Sequence, residues 1–435
     1  MSVNFKFNKI QLQRTRPEGF KFPTGLSFGA LGPTGNSASD SEGGLQRCLA
    51  NPLGSVAGGN TFHIFANPSG SGTFTPSFTG KIDLLVVAGG GGGGSFLGGG
   101  GGGGGVVFAS NFPVVGSRDY TITVGSGGSL APDRSAGGGP YGGSQGGGGA
   151  GSNSSFTDTS TSVAITAMFG GGGAGWATSF SGTDGGFGNG MSGGSGGGGT
   201  INSGPGVHIS GGGTALQPLT NPGISGIENN GHIGGRGGIT YDNPINPYGQ
   251  TATIAPGYAG GGGGAGQEAG SMSPGSAGNP PQGNGTAISN EIGGKAPSAT
   301  TSQGHSGGTG LNFSGFAEAG VGTPGGFGLG IATQTNGFFG GGGGGGGWND
   351  PAGSRIVGSG GAGGGGGAPF ASTTPNTSTE PGSTSPNGIG MANTGGGGRA
   401  GGGQGYGPQS TVANRGGSPT DADGAQAGGS GIVVI

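Results

Sequence analysis

Acid–base, nucleophilic and metal chemistry each need a few particular side chains held close together, and this sequence supplies few. His63, His208, His232 and His305 are isolated from one another, and Cys48 is the sole cysteine. That leaves no zinc-ligand spacing and no disulfide framework within the chain. Cys48 follows Arg47 and reads as a buried, inert thiol. Asp421, Asp423 and Gly424 match the opening of a calcium loop, but the acidic residue expected further on is missing. No serine stands in a G-x-S-x-G turn behind a strand with triad partners, and Lys295 follows Gly294 but precedes Ala296, so no phosphate loop is spelled out. The pattern G-x-G-x-x-G recurs, but 131 glycines in 435 residues supply it by chance. The expectation is a protein that is not an enzyme, with no catalytic residues, no cofactor and no metal.

A different chemistry is better represented. Tyr241, Asp242 and Asn243, followed by Asn246, Pro247 and Tyr248, mix aromatic rings with carboxylate and amide groups. Trp348, Asn349 and Asp350 repeat the mixture at the exit of a long glycine run. Rigid aromatics beside hydrogen-bonding groups suit the recognition of sugars and protein surfaces. Tyr241, Asp242, Asn246, Tyr248, Trp348, Asn349 and Asp350 are therefore the candidate receptor-binding residues. Trp176, Phe338, Phe339 and Tyr406 lie beside glycine runs too. The competing reading of all these aromatics is that they are apolar lids on the faces of a glycine-built body.

The elements that must position such residues are unusual. The stretch from Lys81 to Phe108 opens with the apolar run Ile82–Val87, breaks into glycines 89–94 and 98–105, and closes on Val106, Val107 and Phe108. Further runs occupy 146–149, 196–199, 260–264, 340–347, 363–367 and 395–398. Eight consecutive glycines form neither a helix nor an ordinary strand, because glycine has the most backbone entropy to lose and no side chain to pack. They suit the extended polyproline II shape, which rises about 9 Å per three-residue turn and has no internal hydrogen bonds. Every N–H and C=O then needs an external partner, and with no Cβ two runs approach closely enough to supply it. The clustering of the glycines and only 27 prolines exclude a collagen period. Charged residues at 7% argue against a disordered chain.

Between the runs, strands are expected in three places. Thr61 to Ala88 reads as two or three strands, Val106 to Val124 as a pair joined at Gly116 and Ser117, and Ser162 to Phe169 as one more. The apolar stretch 431–435 must also be paired, and Ile82–Val87 is its most economical partner. The fold class is thus mostly irregular with β: a polyglycine II bundle sealed by a few strands, with almost no α-helix. Residues 1–60, where Lys6, Lys9, Arg14, Arg16 and Lys21 concentrate, read as a segment docking to a larger assembly. Residues 61–435 form the glycine-rich body, with strands in 61–130 and 431–435 and recognition loops between runs. A net charge of −3 gives no basic stripe for nucleic acid, no stretch of 18 apolar residues spans a membrane, and the N-terminal residues lack a signal-peptide pattern.

The segments GTFTPSFTGKIDLLVVAGGGGGG, DYTITVGSGG and GGSGIVVI resemble the glycine-rich domains of bacteriophage tail fibres and other virion appendages. The alternation of runs and loops is similar to tail-fibre tip adhesins whose polyglycine II sandwich displays receptor-binding loops. The resemblance covers about residues 61–435 and implies a virion protein, assembled in the host cytoplasm, that attaches to other virion proteins and binds a host surface glycan or outer-membrane protein. A homo-oligomer is compatible with it. The alternative is a structural fibre or capsid decoration that never touches the host. An ice-binding protein built on polyglycine helices fits less well, since short regular repeats and disulfides are missing.

Overall fold

Aromatic and β-branched residues are confined to short stretches, and these form the regular structure: antiparallel strands, with no helix among the described residues. The structure, a computed structural model, describes residues 38–41, 44–47, 62–68, 71–95, 98–131, 146–175, 188–200, 208–217, 227–230, 237–239, 259–266, 307–308, 310–313, 337–346, 358, 360–361, 363–367, 388–401 and 425–435.

One sheet has five strands in the order β1 (Ala38–Ser41), β4 (Ser71–Pro76), β7 (Tyr120–Thr123), β8 (Ser154–Asp158) and β9 (Ala164–Ala167). The other has six, in the order β11 (Ile227–Asn230), β6 (Val106–Val114), β5 (Gly80–Val87), β15 (Ile432–Val434), β3 (Phe62–Phe65) and β2 (Gly44–Arg47). Two ribbons pair β10 (His208–Ser210) with β12 (Gly237–Ile239), and β13 (Leu311–Asn312) with β14 (Phe338–Phe339). Thr61 to Ala88 thus holds three strands. The C-terminal stretch pairs with the expected partner, Ile432 opposite Val87 and Val434 opposite Leu85. The expected turn at Gly116 and Ser117 forms, with Arg118 donating to Val115 over 3.3 Å, but the two strands it joins do not pair with each other. Tyr120 and Ile122 enter the five-stranded sheet beside β4 and β8, while β6 pairs with β5 in the other. The turn carries the chain from one sheet to the other, so that each strand sets its apolar face against the opposite sheet. β1 and β2, on the near side of the expected boundary at 60, form edge strands of the two sheets.

The two sheets enclose one core. β4 alternates outward and inward, sending Phe74 inside, and Tyr120, Ile122, Phe156 and Ile165 join it from β7, β8 and β9. From the six-stranded sheet come Leu84, Val86, Val107 and Val433. Tyr120 stacks on Phe156 with ring centroids 4.9 Å apart. The opposite face of the six-stranded sheet is also covered: Leu85, Val87, Val106, Ile432 and Val434 pack with Ile64, Ala265 and Phe339 in a second core. Burial on both faces explains why Leu84–Val87 is a continuous apolar run and not an alternating one.

Strands at one end of this sandwich continue directly into glycine. β5 passes into 88–95, which returns as 98–105 into β6; β7 continues as 124–131, 146–153 leads back to β8, β9 continues as 168–174, and 425–431 leads into β15. Hydrogen bonds between these segments rotate with a period of three. Ala88, Gly91 and Gly94 donate to Gly105, Gly102 and Gly99; Gly89, Gly92 and Ser95 to Ser152, Gly149 and Gly146; Gly90 and Gly93 to Gly429 and Gln426. In the returning run, Gly99, Gly102 and Gly105 donate to Ala174, Gly171 and Met168, Gly100 and Gly103 to Gly260 and Gly263, and Gly101 and Gly104 to Gly398 and Gly395. The carbonyls of that run accept from three further segments, 88–94, 195–198 and 343–346. The run 98–105 is therefore surrounded on six sides. A Cβ on any glycine from Gly98 to Gly104 would come closer than 3.0 Å to another segment's backbone or to the chain's own turn. Side chains survive where the period of three faces outward: Thr123, Ser126 and Ser129 are exposed, as are Ile389 and Ala392 around the buried Gly390 and Met391.

Candidate recognition end

Chain direction through the glycine segments defines two ends. The segment 88–95 runs away from the sandwich and its antiparallel partner 98–105 runs back. Gly171 and Ala174 donate to Ser195 and Gly198 in parallel register, so 195–198 runs outward beside 168–174. Gly260 and Gly263 accept from Gly100 and Gly103, which places 260–263 on the way back, whereas Gly343 and Gly346 donate to Gly101 and Gly98 and run outward. At the opposite pole Ala38 of β1 lies across from Pro76, where β4 turns towards β5. The chain before β1 therefore joins the molecule at the pole of the sandwich remote from the glycine segments.

All seven candidate receptor-binding residues, Tyr241, Asp242, Asn246, Tyr248, Trp348, Asn349 and Asp350, lie outside the described residues, as do Trp176 and Tyr406. Their roots are described. β12 ends at Ile239, opposite His208, and the backbone resumes at Ala259. Ala259 donates to the carbonyl of Gly346 over 3.0 Å, and Gly346 donates to Gly98 over 2.9 Å. Ala259 closes the segment holding Tyr241–Tyr248, and Gly346 opens the one holding Trp348. The two candidate segments are rooted side by side at the outer end of the glycine body, although about a hundred residues separate their aromatics in sequence.

Phe338 and Phe339 follow the lid reading, though the face they cover belongs to the six-stranded sheet. They form β14; Phe339 is buried in the outer core, and Phe313 bridges it to Phe108 with centroids 6.5 Å and 5.4 Å away. They act as a lid on the six-stranded sheet. Gly337, at φ 80°, makes the turn that leads into them.

Sequence reasoning missed Arg399. It interrupts a glycine run near the outer end and is almost wholly buried. Its N–H donates to Gly388, and its side chain occupies the space a Cβ on Gly388, at φ 71°, would need. Burial pushes the guanidinium down to about 10, which leaves it charged at neutral pH. A lone cation inside GGGGRAGGG was the available signal. At the sandwich pole, Arg118 Nη1 donates to Asp158 Oδ2 over 2.8 Å and the Ser160 N–H donates to Oδ1 over 2.9 Å. Burial pushes the Asp158 carboxyl up, but these donors outweigh it and hold it below the usual carboxylate range. Among the described residues no cluster of His, Cys, Asp and Glu is placed to hold a metal, and no helix is long and apolar enough to cross a membrane. No protein-family model matches the chain, and comparison with curated proteins gives no match.

Proposed function

We propose that the glycine segments are polyglycine II helices, and that the protein is a bacteriophage virion appendage: a tail-fibre or tip adhesin that binds a host surface glycan or outer-membrane protein. The period of three, the six hydrogen-bonded neighbours of run 98–105 and the outward placement of Ser126 and Ser129 support the helix assignment. A threefold extended helix points successive peptide groups 120° apart, so successive donors meet different neighbours. The observation that carries the adhesin reading is the bond from Ala259 to Gly346, which roots the two aromatic, amide-rich segments together on a braced support. Binding by a loop on such a support avoids part of the ordering cost that a floppy loop would incur. Ala38 lies at the other pole, and attachment of the chain before it to neighbouring virion proteins would leave the recognition end free.

The test is adsorption of the virion to its bacterial host. Tyr241→Ala, Tyr248→Ala and Trp348→Ala should each weaken attachment, by about 2 kcal/mol or more where the residue is a binding hot spot, with the melting temperature unchanged. A stable triple variant that adsorbs normally would rule out this site. An antibody against the chain that labels capsids and leaves fibre tips bare would favour the structural-decoration alternative.

A further inference from the structure

The stretch 425–435 is the keystone of both halves of the molecule. Its last residues form the central strand of the six-stranded sheet, between β3 and β5. Val433 pairs with Val86 on one side and Phe65 on the other, and Ile435 exchanges two backbone bonds with His63 at 2.9 and 3.0 Å. Alternate side chains enter opposite cores: Val433 and Ile435 the one between the sheets, Ile432 and Val434 the outer one. The preceding residues do the same for the glycine body. Gln426 and Gly429 accept from Gly93 and Gly90, Gly428 and Gly431 donate to Gly128 and Gly125, and Ser430 accepts from Thr394 and Gly395. Without this stretch, β3 and β5 would face each other across a gap one strand wide, with both cores open and three glycine segments short of partners.

We infer that the gap between β3 and β5 is a strand-acceptor slot, specific for an extended peptide of the sequence 425–435, and that its filling is the step that closes the fold. Both strands flanking the slot lie within residues 62–87, so the sheet brings together pieces more than three hundred residues apart. Contacts so distant in sequence form late, because loop closure must precede them. Backbone bonding along both edges fixes register, while the alternating apolar side chains select the occupant. This inference is independent of the adhesin reading.

The experiment uses the full chain with a specific protease site placed between 402 and 424, cut only after folding and after the uncut variant is shown to melt like the unaltered protein. The cut protein should keep its melting temperature and elute as one species, separating only in denaturant. The large fragment should regain that melting temperature on refolding with synthetic peptide 425–435, and not with the same peptide carrying Val433→Asp and Val434→Asp. Loss of the segment from the cut protein in native buffer, or refolding of the large fragment without peptide, would overturn the inference. Pulsed hydrogen exchange on the unaltered chain gives a second reading. Amides of 62–65 and 82–94 should gain protection in the same kinetic phase as those of 425–435; protection reached earlier would refute late closure.

Discussion

Replacing Gly102 by alanine adds one methyl group to a chain of 435 residues, and it should remove much of the stability of the glycine body. A Cβ there would collide with the carbonyls of Ser195 and Gly196. Segment 195–198 would have to move away, and it is held by bonds from Ser195 to Gly103 at 3.2 Å, from Gly171 to Ser195 at 2.9 Å and from Gly198 to Gly100 at 2.8 Å. Gly102 itself donates to Gly171 at 2.7 Å and accepts from Gly91 at 2.8 Å. Weakening three or four such bonds at about 0.5–1.5 kcal/mol each loses roughly 2–6 kcal/mol. Alanine restricts the unfolded chain and returns only about 0.4–1 kcal/mol. The net loss of about 1–5 kcal/mol is a substantial fraction of the 5–15 kcal/mol typical of a folded protein. Urea unfolding followed by far-UV circular dichroism measures it, with Ser129→Ala as the control. Ser129 faces solvent at an outward third position, so that change should stay within about 0.5 kcal/mol. Equal midpoints for the two variants would refute close packing of the glycine segments.

Gly343→Ala should behave like Gly102→Ala, because its Cβ would meet the carbonyl of Gly398; the same titration checks it. Ser154→Ala should cost about 1–3 kcal/mol, since the buried hydroxyl donates to Val87 at 2.7 Å and accepts from Gly125 at 2.9 Å, and its loss strands both groups. Asp158→Asn should destabilise at neutral pH and have less effect in acid. The folded carboxyl is held below its ordinary value, so its contribution is present above that value and is lost as pH falls through the folded one. Melting temperatures of both proteins from pH 7 downward should converge; a constant gap would refute the linkage.

The strands were legible because β-branched and aromatic residues have few other uses in this chain. Ile82–Val87 and 431–435 could even be paired by elimination, since two exposed apolar edges would invite aggregation. Their sheet partners beyond that were not legible. Ser154–Asp158 is polar in sequence, and it becomes a strand because Phe156 plugs the core while β7 and β9 offer its backbone partners on either side. That Phe338 and Phe339 are lids was legible, but the face they cover was not; it is the apolar face of β5 and β6, more than two hundred residues earlier. The rooting of Tyr241–Tyr248 beside Trp348 was equally hidden, since runs of glycine are interchangeable on paper and only their bonding order says which are neighbours.

That interchangeability poses a problem of register, and the non-glycine residues resolve it. A pure glycine run can slide by three residues against its neighbours without losing a bond, because the pattern repeats. Fixed points must come from its ends and from interruptions. The strands set one end, since β5, β6, β7, β8 and β15 all enter the glycine body from paired positions. The interruptions set the rest. Ser126 meets Ser152 at 3.1 Å, Ser192 meets Thr214 at 2.7 Å, and Asn393 meets Ser430 at 3.2 Å, each joining two segments at one level. A slip of three residues would break every such pair and drive Arg399 into space that only Gly388 leaves open. The few side chains in the glycine body therefore do what a core normally does: they choose one arrangement among several of nearly equal backbone energy. Because the segments cannot slide, the levels of Ala259 and Gly346 are fixed against each other, and the points at which the two candidate segments join the glycine body keep a constant spacing.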